Sequence, residues 1–311
     1  MKAYERLLKY VTFRTPSDEN SETTPSSACQ FELARFLKNE MEGLNLSDIV
    51  LDDMCYLYGK LPATKGYENA PAIGFIAHMD TAPDFSGENV KPQLLRHYDG
   101  SDVLLRGSGE YLRVSDFPEL KALTGRTLIT TDGTTLLGAD DKAGVAEIMT
   151  ALERIIAENR PHGKLCIGFT PDEEIGEGAS LFDVEGFGAA YAYTVDGEDV
   201  GEISYENFNA AAAVVTVHGF SVHPGSAKNI MVNAITLASE FQQMVPAAER
   251  PEHTEGREGY YHPTDISGTP DEVKLCYILR DFEDCLHVFI RSTEEDCIHR
   301  VTTYYGVARD K

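Results

Sequence analysis

Apolar positions recur with helical spacing in several segments of the first two thirds of the chain. Residues 4–11, 26–41 and 142–157 show this spacing, and each segment is predicted to form a helix. Continuous apolar runs at 72–77, 164–170 and 190–195 are typical of strands that are buried on both faces of a sheet. Alternation of apolar and polar residues at 54–61 indicates a further strand. Strands that alternate with helices predict an α/β fold.

The pattern changes after Asn207. Residues 212–218 and 274–280 are predicted to be strands, and residues 231–244 between them a helix. This order predicts a smaller α+β domain attached to the first. We therefore expect a catalytic or binding domain at 1–207, a second domain at 208–282, and a tail at 283–311.

Charge and composition exclude several classes of function. The 311 residues carry a formal charge of −24, with 51 acidic against 27 basic side chains, which opposes nucleic-acid binding. The chain shows neither an apolar run long enough to span a bilayer nor a signal peptide, so we expect a soluble, cytoplasmic protein without a membrane partner. Its six cysteines form no CxxC pair, so any metal would be held by oxygen and nitrogen.

Acidic residues and a histidine follow the predicted buried strands at the points where those strands end. Because active sites of open α/β sheets lie at the carboxyl ends of the strands, four distant segments bring such residues to one edge. These candidate residues are His78, Asp80, Asp140, Glu173, Glu174 and Asp196.

Each candidate has a structural alternative. A lone His78 at a strand end is more often a hydrogen-bonded core residue. Asp140 or Asp141 can cap the helix that follows, the glutamates at 173–174 can form a solvated turn, and Asp196 before a glycine fits a turn. Taken singly these signals are weak, whereas their common placement after buried strands favours a site.

The residue types fit a catalytic divalent cation. Carboxylates and imidazoles without thiolates suit zinc or a related ion in a site with an open position. Asp80 lies two residues after His78, on the same side of the strand, where its carboxylate can orient the imidazole. Of two adjacent glutamates, one can bind metal and the other can act as a general base.

Longer motifs resemble one family. The chain is similar in order, up to about residue 282, to the peptidase T family of bacterial tripeptide aminopeptidases, which implies a mixed sheet flanked by helices and an inserted lid domain. The segments that carry the resemblance are HMDT at 78–81, TTDG at 130–133, LGADDKAG at 137–144, FTPDEE at 169–174, YTVDG at 193–197, NFNA at 207–210, VHPG at 222–225 and ILRDF at 278–282.

The resemblance implies a site for two zinc ions in the family, and we expect the second ion to bind this chain only weakly, because the segment with its last histidine ligand has no counterpart here. It assigns His78 and Asp196 to one ion, Asp140 to a bridging position, and Glu174 to the second ion. It also implies a cis peptide bond between Asp140 and Asp141.

Further roles are implied in the same way. Asp80 would orient His78, and Glu173 would be the base that activates the attacking water. His223 would stabilise the oxyanion, and Arg280 would bind the carboxylate of a short peptide. Without the resemblance, a surface histidine in a turn and a salt bridge at the rim would be the preferred interpretations of His223 and Arg280.

From about residue 283 the sequence departs from the family pattern. The family segment that carries the last histidine ligand and a glycine-rich substrate loop has no counterpart here. We expect that a frameshift, a premature stop or a gene-model error shortened a normal enzyme. His262, His287 and His299 lie in no matching motif, and we do not expect any of them to replace that ligand.

Three functions follow from the sequence. The leading one is a metal-dependent aminopeptidase that releases the N-terminal residue of tripeptides with a water activated by two zinc ions. An amidase or deacylase with the same metal site is an alternative. A shortened, catalytically impaired remnant that binds metal or peptide without turnover is another. The oligomeric state is left open.

Overall fold

The computed structural model describes residues 1–197 and 200–282, which form two compact units. The chain divides between Glu202 and Ile203, five residues before the boundary predicted at 207. None of the helices in the described residues is long and apolar enough to cross a membrane.

The first unit contains a five-stranded mixed sheet in the order β1-β2-β8-β3-β9. Strands β8, β3 and β9 are parallel neighbours, whereas β2 pairs with β8 and β1 in antiparallel fashion. Its helices are α1 (Ala3–Tyr10), α2 (Gln30–Gly43), α3 (Ala139–Ala157) and α4 (Val184–Phe187), and its strands are β1 (Ser47–Leu51), β2 (Leu57–Leu61), β3 (Ile73–His78), β4 (Gln93–Leu95), β5 (Val103–Leu104), β6 (Tyr111–Leu112), β7 (Leu128–Thr130), β8 (Leu165–Thr170) and β9 (Tyr191–Thr194).

Helices α1, α2 and α3 contribute to one apolar core on the sheet. Leu33, Leu37 and Met41 of α2 and Met149 of α3 are fully buried there, because apolar residues three and four apart line one face of each helix. On the sheet, Gly74 and Gly168 leave room for Phe187 of α4, since a Cβ at Gly74 would lie 2.5 Å from that ring.

The three predicted buried strands differ in the structure. Strand β8 is buried at all six positions, as predicted, because it has β2 on one side and β3 on the other. The strand predicted at 190–195 exists as β9, but its predicted burial is wrong, because all four of its residues, including Tyr191 and Tyr193, are exposed. Within the described residues β9 is the edge of the sheet, so its apolar side chains lack neighbours on one side.

Two short ribbons of the first unit were not predicted. Strand β4 pairs with β7, and β5 pairs with β6, each in antiparallel fashion. Strands of two or three residues are too short to show a clear alternation in the sequence.

The described part of the second unit is a three-stranded antiparallel sheet covered by one helix. The sheet has the order β10-β12-β11, and its core contains Leu237 and Phe241 of the helix with Leu275 and Tyr277 of the central strand. The elements are β10 (Asn209–His218), α5 (Ala234–Met244), β11 (Tyr260–Gly268) and β12 (Glu272–Asp281).

Candidate metal centre

The carboxyl ends of three parallel strands meet at one edge of the first unit. Strand β3 ends at His78, β8 is followed by the turn of Glu173–Ile175, and β9 is followed by Asp196. Asp140 stands at the start of α3. Parallel neighbours place these ends side by side, so segments that are far apart in sequence become adjacent, as predicted.

The imidazole of His78 is at the centre of the cluster. Its ring is 2% exposed, and Nε2 lies 2.9 Å from Oδ1 of Asp140. The same nitrogen lies 3.8 Å from a carboxylate oxygen of Glu173 and 3.9 Å from one of Asp196. One imidazole nitrogen therefore faces three carboxylates.

Two groups of potential ligands share this histidine. The first joins His78 to Glu173 and Asp196, and the second joins it to Asp140 and Glu174. In each group, one ligand atom from every residue lies within 4.8 Å of the others. The sequence assigned Glu173 to proton transfer alone, yet its carboxylate lies within the first group.

Asp80 contacts both the imidazole of His78 and the turn that carries the two glutamates. It is fully buried, and its Oδ1 lies 3.3 Å from Nδ1 of His78, on the side of the ring opposite the carboxylates. Its two carboxylate oxygens also accept hydrogen bonds from the backbone N–H groups of Glu173 (3.0 Å) and Glu174 (3.1 Å). One buried carboxylate thus contacts the imidazole and fixes the turn that carries both glutamates.

Asp141 has a different part from its neighbour Asp140. Its Oδ1 accepts a hydrogen bond from Gly144 N at the start of α3, and its Oδ2 accepts one from His78 N. The capping alternative therefore describes Asp141, whereas Asp140 has a largely exposed side chain directed at the imidazole. The peptide bond between them is cis.

The electrostatics of the cluster favour a cation. Partial burial, and then the charges of neighbouring carboxylates, raise the pKa of Glu173, Glu174 and Asp196 above the usual values. Burial of the His78 ring opposes its protonation, but hydrogen bonding to Asp80 and the nearby carboxylates outweigh burial and raise its pKa to about 10. Groups that attract a proton this strongly also attract a metal ion.

The donor set fits divalent cations that accept imidazole and carboxylate ligands. No thiolate lies in either ligand group, so the ligands are one nitrogen and several oxygens. Such a set suits zinc and related first-row ions. An ion there would relieve the repulsion between the carboxylates, which is the physical reason that the residues fit it.

The two remaining predicted residues lie in the second unit. Nδ1 of His223 accepts a hydrogen bond from Gly225 N (3.1 Å), which orients the ring in its turn. The guanidinium of Arg280 lies 5.5 Å from the centre of the Phe208 ring, and Arg280 lines a cavity of about 280 Å³ with Tyr260 and Phe282. Their assignments to oxyanion and substrate carboxylate stay predictions.

The other imidazoles considered in the sequence give no additional ligand in the described residues. His262 lies on β11, within the second unit. His287 and His299 fall outside the residues that the structure describes.

Comparison with known proteins decides the family. Peptidase T of Clostridium acetobutylicum is 56% identical over 280 residues, an alignment that covers 89% of this chain and 68% of that protein. Peptidase T of Clostridium novyi is 52% identical over 305 residues, an alignment that covers 97% of this chain and 74% of that protein. The chain belongs to the peptidase T family. This family member is therefore a peptidase, as its sequence motifs predicted.

Domain and fold comparisons agree with peptidase T. Residues 205–294 match the family described as the peptidase dimerisation domain. The fold is similar to aminopeptidase PepT from Bacillus cereus, with a TM-score of 0.72 at 23% identity over 98% of this chain and 73% of that one. A tripeptidase from Staphylococcus aureus gives 0.71 at 22% identity, over 98% of this chain and 72% of that one. These likenesses confirm the predicted fold, a mixed sheet flanked by helices.

Proposed function

We propose that the chain is a metal-dependent aminopeptidase that releases the N-terminal residue of tripeptides, with two zinc ions at the strand ends. The observation that carries this proposal is the convergence, at the strand ends, of the His78 imidazole with carboxylates from three other segments of the chain. One imidazole nitrogen can bind only one ion, so the carboxylates around it would hold the second of two neighbouring cations. The names of the relatives, peptidase T, support the substrate class.

In this proposal the ligands divide as the sequence motifs indicate. His78 and Asp196 would hold one ion and Glu174 the other, with the carboxylate of Asp140 available to both. Bound ions of this kind supply Lewis-acid polarisation of the scissile carbonyl and increase the acidity of water. Asp80 fixes the imidazole by the contact at Nδ1.

Glu173 is the proposed general base. Its carboxylate is about half exposed, so a water molecule can reach it, and its backbone is held by Asp80. Burial raises the pKa of Glu173 toward neutral pH. A base with a pKa near the working pH can both accept a proton and later release it. Glu173 takes the proton from water and passes it to the leaving amine.

The second unit supplies substrate contacts in the proposal. The imidazole of His223 stabilises the oxyanion that forms on the scissile carbonyl. The guanidinium of Arg280, beside Phe208 and Tyr260, binds the carboxylate of the peptide. We place this activity in the cytoplasm, where short peptides are degraded.

The test combines metal content with substrate choice. The purified chain should contain two equivalents of zinc and release the N-terminal residue of a tripeptide, but not hydrolyse N-acyl amino acids. Glu173→Gln should lower kcat by about 10²–10⁴-fold while zinc content stays the same. Glu185→Gln, an exposed glutamate of α4, is the matched control and should leave kcat unchanged.

Two results would contradict the proposal. Turnover of N-acyl amino acids in preference to tripeptides would favour the amidase alternative. One equivalent of zinc or less, without turnover of either substrate, would favour the remnant.

The match to the peptidase dimerisation domain also supports a homodimer. Among the described residues β10 is an edge strand of this sheet, and we propose it for pairing with a second copy because it has ten residues and contains no proline. The other edge strand, β11, is interrupted by Pro263 and a register shift, features that discourage pairing. Light scattering should show a dimer that Val214→Lys on β10 disrupts and that the control Ile266→Lys on β11 does not.

A further inference from the structure

Asp172 is a buried carboxylate directly before the two glutamates of the metal centre. It is 1% exposed and has a φ of 54°, in the left-handed region that residues other than glycine rarely adopt. Such a conformation persists only where the surroundings hold it.

Three donors from one distant segment converge on this carboxylate. Ser26 donates its backbone N–H to Oδ2 (2.7 Å) and its hydroxyl to Oδ1 (2.6 Å). Gln30, at the start of α2, donates its Nε2 to Oδ1 (2.7 Å). Short hydrogen bonds to a buried carboxylate are among the strongest in proteins, so these three bonds hold Asp172 in place.

The turn after Asp172 is held on its other side by Asp80. The carboxylate of Asp80 accepts hydrogen bonds from the amides of Glu173 and Glu174, while the carbonyl of Asp172 accepts one from Glu177 N (2.9 Å). The turn is therefore clamped between two buried carboxylates. The position of both glutamate side chains depends on both clamps.

The segment of residues 15–30 contacts the centre at a second place. Thr81 donates its N–H to Thr15 O (2.9 Å), and Ser17 donates its N–H to Thr81 O (3.1 Å). Thr81 directly follows Asp80. The same segment thus holds the residue next to Asp80 and, through Ser26 and Gln30, the residue next to Glu173.

We propose that Asp172 is a positioning residue that, through Ser26 and Gln30, aims Glu173 and Glu174 at the site around His78. Its effect on turnover rests on the proposed function. Its effect on the geometry of the turn does not, because the hydrogen bonds exist in the protein itself.

The geometry distinguishes two substitutions of this residue. Asp172→Ala removes all three acceptor contacts. Asp172→Asn keeps the shape and tolerates the left-handed conformation. Gln30 Oε1 is buried and has no hydrogen-bond partner among the described residues, so rotation of the Gln30 amide can present this oxygen to the new Asn amide. The asparagine variant should therefore keep the clamp, and only while Gln30 is present.

Amide hydrogen exchange tests the geometry in the full chain. In Asp172→Ala the amides of Glu173 and Glu174 should exchange about tenfold faster or more, because the clamp has lost its charged acceptor. Asp172→Asn should stay within about threefold of the native rate. Asp52→Ala is the matched control, since Asp52 accepts hydrogen bonds from Met54 N and Tyr56 N in a turn between β1 and β2. It should leave these two amides unchanged.

Turnover of a tripeptide supplies the second readout. Asp172→Ala should lower kcat by about 100-fold, as expected of a base displaced by about 1 Å, with KM changed by less than about threefold. Asp172→Asn should retain kcat within about threefold. The double variant Asp172→Asn with Gln30→Met should show a kcat as low as that of Asp172→Ala, because methionine has no oxygen to accept a hydrogen bond from the asparagine. Gln30→Met alone should lower kcat less than the double variant does, because the carboxylate of Asp172 still accepts both hydrogen bonds from Ser26.

The outcomes separate the two proposals. Unchanged exchange at Glu173 and Glu174 in Asp172→Ala would overturn the positioning role, whatever the activity. If Asp172→Ala does not fold, equal exchange and equal kcat in Asp172→Asn with and without Gln30→Met would overturn it instead. If the native chain does not hydrolyse tripeptides, the proposed function fails, and the exchange rates still decide the role of Asp172.

Discussion

Gly144, in the second turn of α3, is a position where a single methyl group should change both stability and the metal centre. A Cβ built there lies 2.0 Å from Val195 O and 2.4 Å from Oδ1 of Asp141. Real Cβ atoms do not come closer than 3.0 Å to such atoms, so the start of α3 and Val195 O must move apart by at least 1.0 Å. Val195 directly precedes Asp196, and the shift therefore displaces a proposed ligand.

The sign of the stability change separates this mechanism from helix propensity. Alanine in place of a helical glycine stabilises a protein by about 0.4–1 kcal/mol when the site is open. Overpacking costs about 1–3 kcal/mol, so the net destabilisation of Gly144→Ala should lie between about 0 and 2.6 kcal/mol. Gly43→Ala, at the last residue of α2 with no atom within 4 Å of its Cβ, should be stabilised.

Urea denaturation of the two variants measures the sign, and a zinc titration with tripeptide turnover measures the displacement of Asp196. A 1 Å displacement lowers kcat/KM by about 100-fold, so Gly144→Ala should lose activity that Gly43→Ala retains. A Gly144→Ala protein that is more stable than the native chain and binds zinc normally would refute the packing argument.

Three further predictions concern other parts of the chain. Asp80→Asn should weaken zinc binding by about 10–100-fold, measured by titration, because the imidazole loses a charged partner. Hydrogen bonds from the terminal ammonium of Met1 and from Arg6 lower the pKa of Glu153 below 4.5 in the folded protein. The stability that this pairing contributes is therefore present above pH 4.5, and it is lost as the pH falls through the pKa of Glu153 in the folded state. Native chain and Glu153→Gln should therefore differ in urea midpoint at pH 7 and converge at low pH. Phe241→Ala should destabilise the second unit by about 3–5 kcal/mol in thermal unfolding, since this ring is 2% exposed.

The sequence predicted those features that depend on local pattern. Helix α3 and strand β8 were predicted because their apolar residues repeat at 3.6 residues or run without interruption. The site residues at the ends of β3 and β8 were predicted because parallel strands bring their carboxyl ends together. Long family motifs then supplied individual roles, which geometry alone leaves open.

Features that depend on distant neighbours were missed. The exposure of β9 was not predicted, because apolar composition does not show that a strand lies at the edge of a sheet. Strand β11 was missed because Pro263 and several polar residues interrupt any alternation. The importance of Asp172 was not visible either, since its donors Ser26 and Gln30 are 146 and 142 residues away in the chain.

The carboxylate of Asp80 has a consequence for redesign of the centre. Since one carboxylate contacts the imidazole through Oδ1 and holds two backbone amides through both oxygens, ligand geometry and base geometry have a common origin and cannot be adjusted separately. Attempts to change metal preference or proton transfer should therefore begin at the exposed carboxylates, where one group can be altered without moving the rest. Double variants that change Asp80 together with His78, Glu173 or Glu174 should lose activity in a strongly non-additive way.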